Sequence, residues 1–294
     1  MVDAIDLNIS CTDLLTKIVC DRFKKECMLH RCPDCPGKAA LDDYLLELTQ
    51  ETYDADDEIT FKQWVSTDRT TIVTQQATIE EFRNLLSEYI DNLTVHHFTA
   101  KNQSAHLNTL KSQLSDDTII VILDFAENYS FLVQDAIQGF YWQNAQATLH
   151  PFGVYYMDNG EIKSLSLCCI SDCLIHNTNS VFAFQTKVLT FLKQKFPGVR
   201  KVVYFSDGAA AQYKNFKNFT NLCFHERDFQ LSAEWHFFAT SHGKNICDGI
   251  GGTTKRLAAR ASLQAPSDGQ ILTPQQLFAF CQEHIKKHNK LLCN

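Results

Sequence analysis

The sequence contains no uninterrupted apolar run of the roughly 18 residues that a membrane-spanning helix needs. Its first residues, MVDAIDLNISCTD, are acidic and lack the basic and apolar regions of a secretory signal peptide. There is also no internal repeat and no low-complexity segment. Because the hydrophobic content of 45% is ordinary for a globular chain, we expect a soluble protein that is made in the cytosol and has no membrane partner.

Signatures of several enzyme classes are missing as well. The chain has no P-loop, no Gly-x-Gly-x-x-Gly after a strand, no Gly-x-Ser-x-Gly and no cysteine–histidine pair in a nucleophile context. Nucleotide hydrolysis and acyl transfer therefore have no support, and we expect no nucleotide cofactor. A helix-turn-helix or a complete DNA-binding finger is not recognisable either.

Charge is distributed unevenly along the chain. The formal net charge of −7 argues against a nucleic-acid-binding protein. However, residues 187–260 carry 12 Lys and Arg against five acids, whereas residues 1–186 carry 12 basic and 27 acidic residues. The later segment therefore offers a basic surface to a polyanion, although a chance fluctuation of surface charge is the alternative.

Twelve cysteines are many for an intracellular chain, and their uneven spacing does not fit a disulfide framework. Cys20, Cys27, Cys32 and Cys35 form the pattern C-x6-C-x4-C-x2-C. The step Cys-Pro-Asp-Cys-Pro-Gly resembles a zinc knuckle, in which a tight turn directs two thiolates at one ion. We predict a structural Zn²⁺ on Cys32 and Cys35, with two further ligands from Cys20, Cys27 or His30; buried free thiols are the alternative.

Other cysteines and histidines form weaker metal-ligand patterns. Cys281, His284 and His288 share one face of a predicted C-terminal helix. Two further cysteine–histidine pairs are close in sequence, Cys173 with His176 and Cys223 with His225. Ordinary exposed or core side chains are the preferred interpretation of all three groups.

The chain divides into four segments by composition and pattern. Residues 1–58 form an N-terminal, Cys-rich helical module with an acidic linker. Residues 59–117 form a helical lead-in, with a capping signal at Thr78 and a second helix in SAHLNTLKSQL. Residues 118–262 form a core, and residues 263–294 form a C-terminal helical tail.

From Thr118 onward, strands and helices alternate. TIIVILDF is a β-branched run typical of a strand buried on both faces, and two more strands follow, joined by the turn Asp158-Asn159-Gly160. An amphipathic helix, the strand KVVYFSDG, a helix over 209–224, the strand FQLSAEWHFFAT and a last helix complete the order β-β-β-α-β-α-β-α. This order predicts an α/β fold of the RNase H-like class, a mixed five-stranded sheet flanked by helices.

Three aspartates fall where this topology brings side chains together. Asp124 ends the first strand, Asp207 ends the fourth strand, and Asp248 opens the last helix. The first and fourth strands are neighbours in such a sheet, so Asp124 and Asp207 face each other and the last helix adds Asp248. Carboxylates gathered in this way bind two Mg²⁺ or Mn²⁺ ions about 3.5–4 Å apart, which stabilise the attacking and leaving oxygens of a phosphodiester displacement. Glu234, on the fifth strand, is the rival for the third position.

The segments VILDFAENY, YFSDGAAAQYKN and ATSHGKNICDGIGG resemble the core motifs of eukaryotic cut-and-paste DDE transposases. The resemblance extends over roughly residues 60–262, and it implies metal-dependent DNA cleavage and strand transfer. It also implies a nuclear location, or a cytoplasmic one if no import signal operates. The implied partner is DNA, either transposon ends or a target, with a homodimer left open. The family usually ends its triad with Glu, so Asp248 departs from the pattern and leaves the third position open to question.

Basic side chains near these motifs are candidates for phosphate contacts: Lys214, Lys217, His242, Lys244, Lys255 and Arg256. Such contacts give affinity without reading sequence. Glu127 and Asn128 are candidates for supporting hydrogen bonds around Asp124. Two other functions stay open: a catalytically silent, transposon-derived scaffold that binds DNA or protein, and an RNase H-type nuclease. The three carboxylates favour activity, whereas the missing DNA-reading domain favours the silent scaffold.

Overall fold

The computed structural model describes residues 9–66, 70–132, 145–239, 246–266, 269–285 and 289–292. The chain divides into two compact units, Met1–Asn102 and Gln103–Asn294. The division lies inside the segment predicted as a helical lead-in. Within the described ranges, no helix is both long and apolar enough to cross a membrane.

The N-terminal unit contains three short helices, one β-hairpin and the first part of a long helix. Its elements are α1 Cys11–Ile18, α2 Lys25–Met28, α3 Gly37–Thr49, β1 Glu58–Ser66, β2 Thr70–Thr78 and α4 Ile79–Ser112. Leu14 and Ile18 of α1 pack with Leu41 of α3 in the core of this unit. Phe61 of the hairpin joins the same core through the ring of Phe82, with the two centroids 5.1 Å apart.

Helix α4 begins at the predicted capping signal. The Glu81 N–H donates to the Thr78 hydroxyl at 3.2 Å, and the Thr78 N–H donates to the Glu81 carboxylate at 3.0 Å. The structure differs from the prediction in the length of the helix, since the two predicted helices are one helix of 34 residues. Neither Pro nor Gly occurs between Ile79 and Ser112, so nothing in the sequence interrupts the helix.

The β1–β2 hairpin lies in a region that was predicted to be linker and helix. Alternate residues of β1 face the core, because Ile59 and Phe61 are buried whereas Thr60 and Lys62 are exposed. This alternation is the sequence signal for the strand. The acidic run before the strand, which predicts a solvated linker, obscures this alternation in the sequence.

The C-terminal unit is built on a mixed sheet flanked by helices. Its elements after α4 are β3 Thr118–Leu123, β4 Tyr129–Ser130, β5 Gln146–Asp158, β6 Glu161–Ser171, α5 Thr178–Lys195, β7 Lys201–Ser206, α6 Phe216–Cys223, α7 His225–Phe229, β8 Ser232–Phe237, α8 Ile246–Gln264, α9 Pro274–His284 and β9 Asn289–Leu292. The main path of the sheet runs β8-β7-β3-β5-β6-β9, and β4 pairs with β5.

Strand directions divide the sheet at β3. Strands β8, β7 and β3 are parallel, β5 is antiparallel to both β3 and β6, and β9 is parallel to β6. The predicted neighbourhood of the first and fourth strands is confirmed, because β3 pairs with β7 in parallel. Strand β9 adds to the five predicted strands, and it lies in the segment predicted as a helical tail.

Both faces of the sheet are covered. Val121 of β3 packs with Val188 of α5 on one face, whereas Ile120 and Ile122 pack with Leu107 of α4 on the other. Helices α8 and α9 lie on the face opposite α5, around β5 and β6. The prediction that β3 is buried on both faces is therefore confirmed.

The helix predicted over 209–224 is shorter than expected. Residues 210–215 form turns, and α6 begins at Phe216 after Asn215, whose side chain accepts the Asn218 N–H at 3.0 Å. The Tyr213 N–H donates to the Ala209 carbonyl at 2.8 Å within these turns. Tyr213 of these turns is buried in the core cluster that includes residues of the sheet.

Candidate functional site

Asp124 and Asp207 follow two neighbouring parallel strands. The register of β3 and β7, continued to the residue after each strand, sets Asp124 opposite Asp207. The Asp124 N–H donates to the Pro151 carbonyl of β5 at 3.4 Å, and the Asp207 carboxylate accepts the Ala209 N–H at 3.1 Å. The structure thus brings these two carboxylates to one edge of the sheet.

The Asp124 carboxyl group lies in an electrostatically unfavourable position. Burial raises the pKa of Asp124 to about 7, and the negative charges of Asp207 and, less strongly, Asp248 act in the same direction. The Phe125 N–H donates to this carboxylate and lowers the pKa, which offsets only part of the shift. A cation bound between the carboxylates would relieve the repulsion.

Asp248 lies in the first turn of α8, which packs against the end of β3 and the middle of β5. The preceding residue, Cys247, is buried, and its Sγ lies 3.4 Å from the Ile122 carbonyl oxygen and 3.6 Å from the Pro151 carbonyl oxygen. These contacts place the first turn of α8 beside the strand that carries Asp124. Asp248 itself is exposed at the surface of this edge.

Two glycines allow α8 to approach the sheet this closely. A Cβ on Gly153 of β5 would lie 2.0 Å from Ile246 Cγ2, and a Cβ on Gly251 of α8 would lie 3.0 Å from Ala126 Cβ. Real side chains do not tolerate the first of these distances. Because Gly153 has no side chain, the turn that carries Asp248 is able to pack directly against β5.

A cleft of about 330 Å³ opens at this edge of the sheet. Asp124, Asp248, Glu127 and Lys255 all line it. The Lys255 side chain is only 25% exposed and lies 3.8 Å from the Glu127 carboxylate. Burial lowers the pKa of Lys255, and the Glu127 charge opposes that shift. The cleft is thus lined by three carboxyl groups and by one lysine, whose ammonium group is able to contact a phosphate.

The three aspartates do not form one compact metal-binding group. Their oxygens do not all lie within 4.8 Å of one another, since only a cysteine group meets that distance in the described part of the chain.

Glu234 does not join this group. Its carboxylate forms an ion pair with Lys201 at 2.6 Å, and hydrogen bonding to Lys201 is the main reason that the pKa of Glu234 is lowered. Lys201 opens β7, at the strand end opposite Asp207. The geometry therefore favours Asp248 over Glu234 as the third carboxylate.

The predicted phosphate-binding residues are dispersed. Lys255 lines the cleft, and the side chain of Lys214 extends past Gly208, next to Asp207, towards the ring of Phe237. Lys217 and Arg256 are exposed and do not line the cleft. His242 and Lys244 lie outside the described residues. Glu127 contacts Lys255, whereas Asn128 hydrogen-bonds to Thr148 at 3.2 Å, away from the carboxylates.

A buried polar pair lies beneath the aspartates, and the sequence analysis missed it. The ring of His150 is fully buried, and its Nε2 lies 3.0 Å from the hydroxyl of Tyr213, which is also fully buried. Burial raises the pKa of Tyr213 well above its usual value, and the charges of Asp124 and Asp207 add to this effect. Burial lowers the pKa of His150 to about 3, so this ring is neutral. A histidine inside an otherwise apolar strand is the signal that could have identified the pair.

The N-terminal unit contains a second candidate site, formed by four thiols. The sulfur atoms of Cys20, Cys27, Cys32 and Cys35 all lie within 4.8 Å of one another. Cys20 Sγ is 3.4 Å from Cys27, 3.6 Å from Cys35 and 3.8 Å from Cys32. A tetrahedral Zn²⁺ with bonds of about 2.3 Å separates its sulfur ligands by about 3.8 Å. The cluster is therefore able to bind a structural metal such as zinc.

Backbone hydrogen bonds favour the thiolate form at one end of the cluster, whereas burial raises the pKa of Cys27 to about 12. The Cys20 N–H donates to Cys35 Sγ at 3.4 Å, and hydrogen bonding to the Asp34 backbone lowers the pKa of Cys32. His30 does not belong to the group of ligand atoms within 4.8 Å of one another, and its Nε2 lies 3.6 Å from the Asp91 carboxylate. The structure thus selects Cys20 and Cys27 among the ligands that the sequence left open.

The other cysteine–histidine patterns do not form metal groups in the described ranges. Both ring nitrogens of His225 contact protein groups, the Leu231 carbonyl at 2.7 Å and the Tyr204 hydroxyl at 2.9 Å. Cys281 is buried, whereas His284 is exposed and stacks on Phe280. His288 lies outside the described residues.

Comparison with known proteins gives two family matches. Residues 2–94 match a family described as domain of unknown function DUF8700, and residues 103–294 match one described as domain of unknown function DUF8701. No curated protein and no solved structure matches the chain. The boundary between the two matches coincides with the boundary between the two structural units. Because the second match covers more than half of its residues, the chain belongs to the DUF8701 family.

Proposed function

We propose that the C-terminal unit is an RNase H-like domain that cleaves DNA phosphodiesters with divalent cations held by Asp124, Asp207 and Asp248. The observation that carries this proposal is that the charges of Asp207 and Asp248 both act on the partly buried carboxyl group of Asp124. The three residues come from the ends of β3 and β7 and the first turn of α8, and two of them, Asp124 and Asp248, line an open cleft.

The strand order supports the fold assignment. The path β8-β7-β3-β5-β6 agrees with the expectation that the first and fourth strands are neighbours, and it places β8 beyond β7 and the β5–β6 hairpin on the other side of β3. The directions agree as well, because the parallel pairs are joined by helices and the antiparallel pair β5–β6 by a tight turn. The added strand β9 lies beyond this five-stranded core.

The side chains of the cleft have complementary roles in such a reaction. Two divalent ions would stabilise the attacking and leaving oxygens of an in-line displacement at phosphorus. Lys255 would bind a non-bridging phosphate oxygen or the neighbouring phosphate, in exchange for its contact with Glu127. Strand transfer, a transposon-derived origin, a nuclear location and a homodimer belong to the same proposal, because the motif resemblance implies them.

Metal binding and DNA nicking test the proposal together. Mn²⁺ binding is measured by calorimetry, and nicking of supercoiled plasmid is measured with Mg²⁺ or Mn²⁺. We expect Asp124→Asn and Asp207→Asn each to lower the Mn²⁺ affinity and the nicking rate by at least about 10- to 100-fold. Losses of this size follow even when a residue that only hydrogen-bonds to a metal ligand is removed. Asp172→Asn, which changes an exposed aspartate outside the cleft, is the matched control. Unchanged nicking in both variants would falsify the proposal.

The third carboxylate is tested in the same assays. Asp248→Asn is expected to reduce Mn²⁺ binding and nicking, whereas Glu234→Gln is expected to retain both, because Glu234 is engaged with Lys201. The reverse result would move the third ligand to β8.

A catalytically silent scaffold is the second candidate. The spread of the three carboxylates beyond 4.8 Å and the Glu127–Lys255 ion pair in the cleft favour it. Under this alternative the chain binds DNA in a fluorescence-anisotropy assay but does not nick it, and Asp124→Asn leaves binding unchanged. An RNA–DNA hybrid included as a substrate in the cleavage assay separates transposase-like activity from an RNase H-type nuclease.

A further inference from the structure

A pocket of about 420 Å³ lies within the N-terminal unit, between the cysteine-cluster segment and α4. Its apolar lining includes Leu15, Met28, Leu93 and Phe98. Leu15 and Met28 are buried core residues, and Leu93 and Phe98 pack against the same core. The volume falls in the range of about 300–1,000 Å³ that is typical of small-molecule sites.

The charges at the rim of this pocket are all positive. Arg22 and Lys101 line it, and no Asp or Glu does. In the described part of the chain neither cation forms an ion pair with a carboxylate, whereas Lys24 and Lys38 in the same unit pair with Asp21 and Asp42. The positive lining contrasts with the composition of the unit, since residues 1–102 carry 19 acidic and 10 basic residues.

An exposed aromatic ring completes the rim. Phe23 also lines the pocket and is 79% exposed, and the Arg22 guanidinium lies 4.8 Å from the centre of its ring. A large apolar side chain gains free energy when a ligand covers it. In the sequence, Arg22 and Phe23 lie between two thiols of the cluster, Cys20 and Cys27.

We propose that this pocket binds a small organic anion. An apolar ring or chain would lie against Leu15, Met28 and Phe98, and a carboxylate or phosphate head would lie between Arg22 and Lys101. Charge complementarity selects this class over neutral ligands, because two cations and no carboxylate line the pocket. The proposal is independent of the phosphodiester chemistry proposed for the other unit.

Two fluorescent probes of the same ring system test the proposal on the whole chain. Anilinonaphthalene sulfonate carries an anionic head, and phenyl-naphthylamine is neutral. We expect the sulfonate to bind at least tenfold more tightly, and Arg22→Gln with Lys101→Gln to weaken it by about tenfold or more. Lys24→Gln with Lys38→Gln is the matched control, because both are cations of the same unit that do not line the pocket.

Circular dichroism checks that each variant is folded. Lys101→Arg retains the positive charge and is expected to retain sulfonate binding. Equal affinity for the two probes, or unchanged sulfonate binding in the double variant, overturns the proposal. Dodecanoate and adenosine monophosphate are then used as competitors. Displacement by the first indicates a chain carboxylate and displacement by the second a ring phosphate, and failure of both overturns the proposal.

Alkylation of Cys11 gives a second readout at the same site. Cys11 lines the pocket and is exposed, whereas Cys173 and Cys223 are exposed in the other unit. Bound sulfonate is expected to slow iodoacetamide modification of Cys11 at least threefold and to leave Cys173 and Cys223 unchanged, as measured by peptide mass spectrometry. Equal protection of all three cysteines would contradict binding at this pocket.

Discussion

The Asp124 carboxyl group determines how the C-terminal unit responds to pH. Its pKa is about 7 in the folded chain against an ordinary value of 3.8, so the folded chain binds more protons than the unfolded chain between these values. The contribution of Asp124 to stability is therefore present at about pH 4 and below and is lost as the pH rises to 7. With a chelator present, Asp124→Asn should stabilise the protein at pH 8 by roughly 2–4 kcal/mol and not at pH 4.

Urea unfolding at the two pH values measures this difference, with Asp172→Asn as the control. Equal stabilisation at pH 4 and pH 8 would contradict it. Since metal ligands bind in their deprotonated form, Mn²⁺ affinity of the unaltered chain should also fall as the pH drops below 7. Calorimetric titrations across this range give the dependence directly.

The Tyr213–His150 pair holds the turn after Asp207 against β5. Tyr213→Phe would leave His150 with no partner on either ring nitrogen, because Nδ1 already has none among the described residues. We expect a loss of about 1–3 kcal/mol in unfolding free energy, measured by urea denaturation. Tyr129→Phe is the matched control, since the buried hydroxyl of Tyr129 has no hydrogen-bond partner in the described ranges. A destabilisation as large in Tyr129→Phe would show that the hydrogen bond is not the cause.

At the scale of elements, the contact between α8 and β5 sets the position of Asp248. Gly153→Ala would place a methyl group 2.0 Å from Ile246 Cγ2 and displace the first turn of α8. We expect a loss of about 1–3 kcal/mol in unfolding free energy, together with weaker Mn²⁺ binding. Gly249→Ala, where a Cβ meets open space within the same helix, should instead be stabilising by about 0.5–1 kcal/mol.

A double variant, Gly153→Ala with Ile246→Ala, removes the clashing methyl group. Recovery of Mn²⁺ binding in this variant, measured by calorimetry, would show that helix position and not strand propensity causes the loss. If the single variant binds Mn²⁺ normally, the helix is free to shift without affecting the site.

Elements with strong local periodicity were predictable, and elements defined by distant pairing were not. The apolar run before Asp124 and the turn at Gly160 carry their own signals, so β3, β5 and β6 followed from the sequence. Strand β9 is four residues long and is stabilised by pairing with β6, more than 100 positions earlier in the chain. Nothing in its local sequence distinguishes it from the tail of a helix.

The candidate site was also predictable only in part, where its residues carry a local sequence signal. Asp124 and Asp207 end strands, a position that the sequence reveals directly. Asp248 depends on the approach of α8 to β5, which requires Gly153 nearly 100 positions earlier. His150 and Tyr213 lie in segments with no catalytic pattern, and only the fold brings them together.

At the scale of the whole molecule, each unit has its own core, and the N-terminal unit has four thiols that are able to hold a metal ion. We expect one Zn²⁺ per chain by elemental analysis, and loss of that ion in Cys32→Ser with Cys35→Ser. Because a structural metal contributes folding free energy, calorimetry should show a lower-temperature transition that disappears in this variant. The transition of the C-terminal unit should remain.

Cys11→Ser, which alters an exposed thiol outside the cluster, is the control and should retain the ion. Full zinc content in the double variant would contradict the assignment of the four ligands.

Strand β9 has a consequence for the behaviour of the chain at high concentration. It pairs along Leu167–Ile170 of β6, a stretch whose side chains are fully buried. A chain cut before Asn289 would leave these backbone N–H and carbonyl groups unpaired at the rim of an apolar sheet. Such a rim is a template for strands of other molecules, so aggregation would begin there. We therefore expect β9 to reduce self-association by covering this edge of β6, in addition to its place in the sheet.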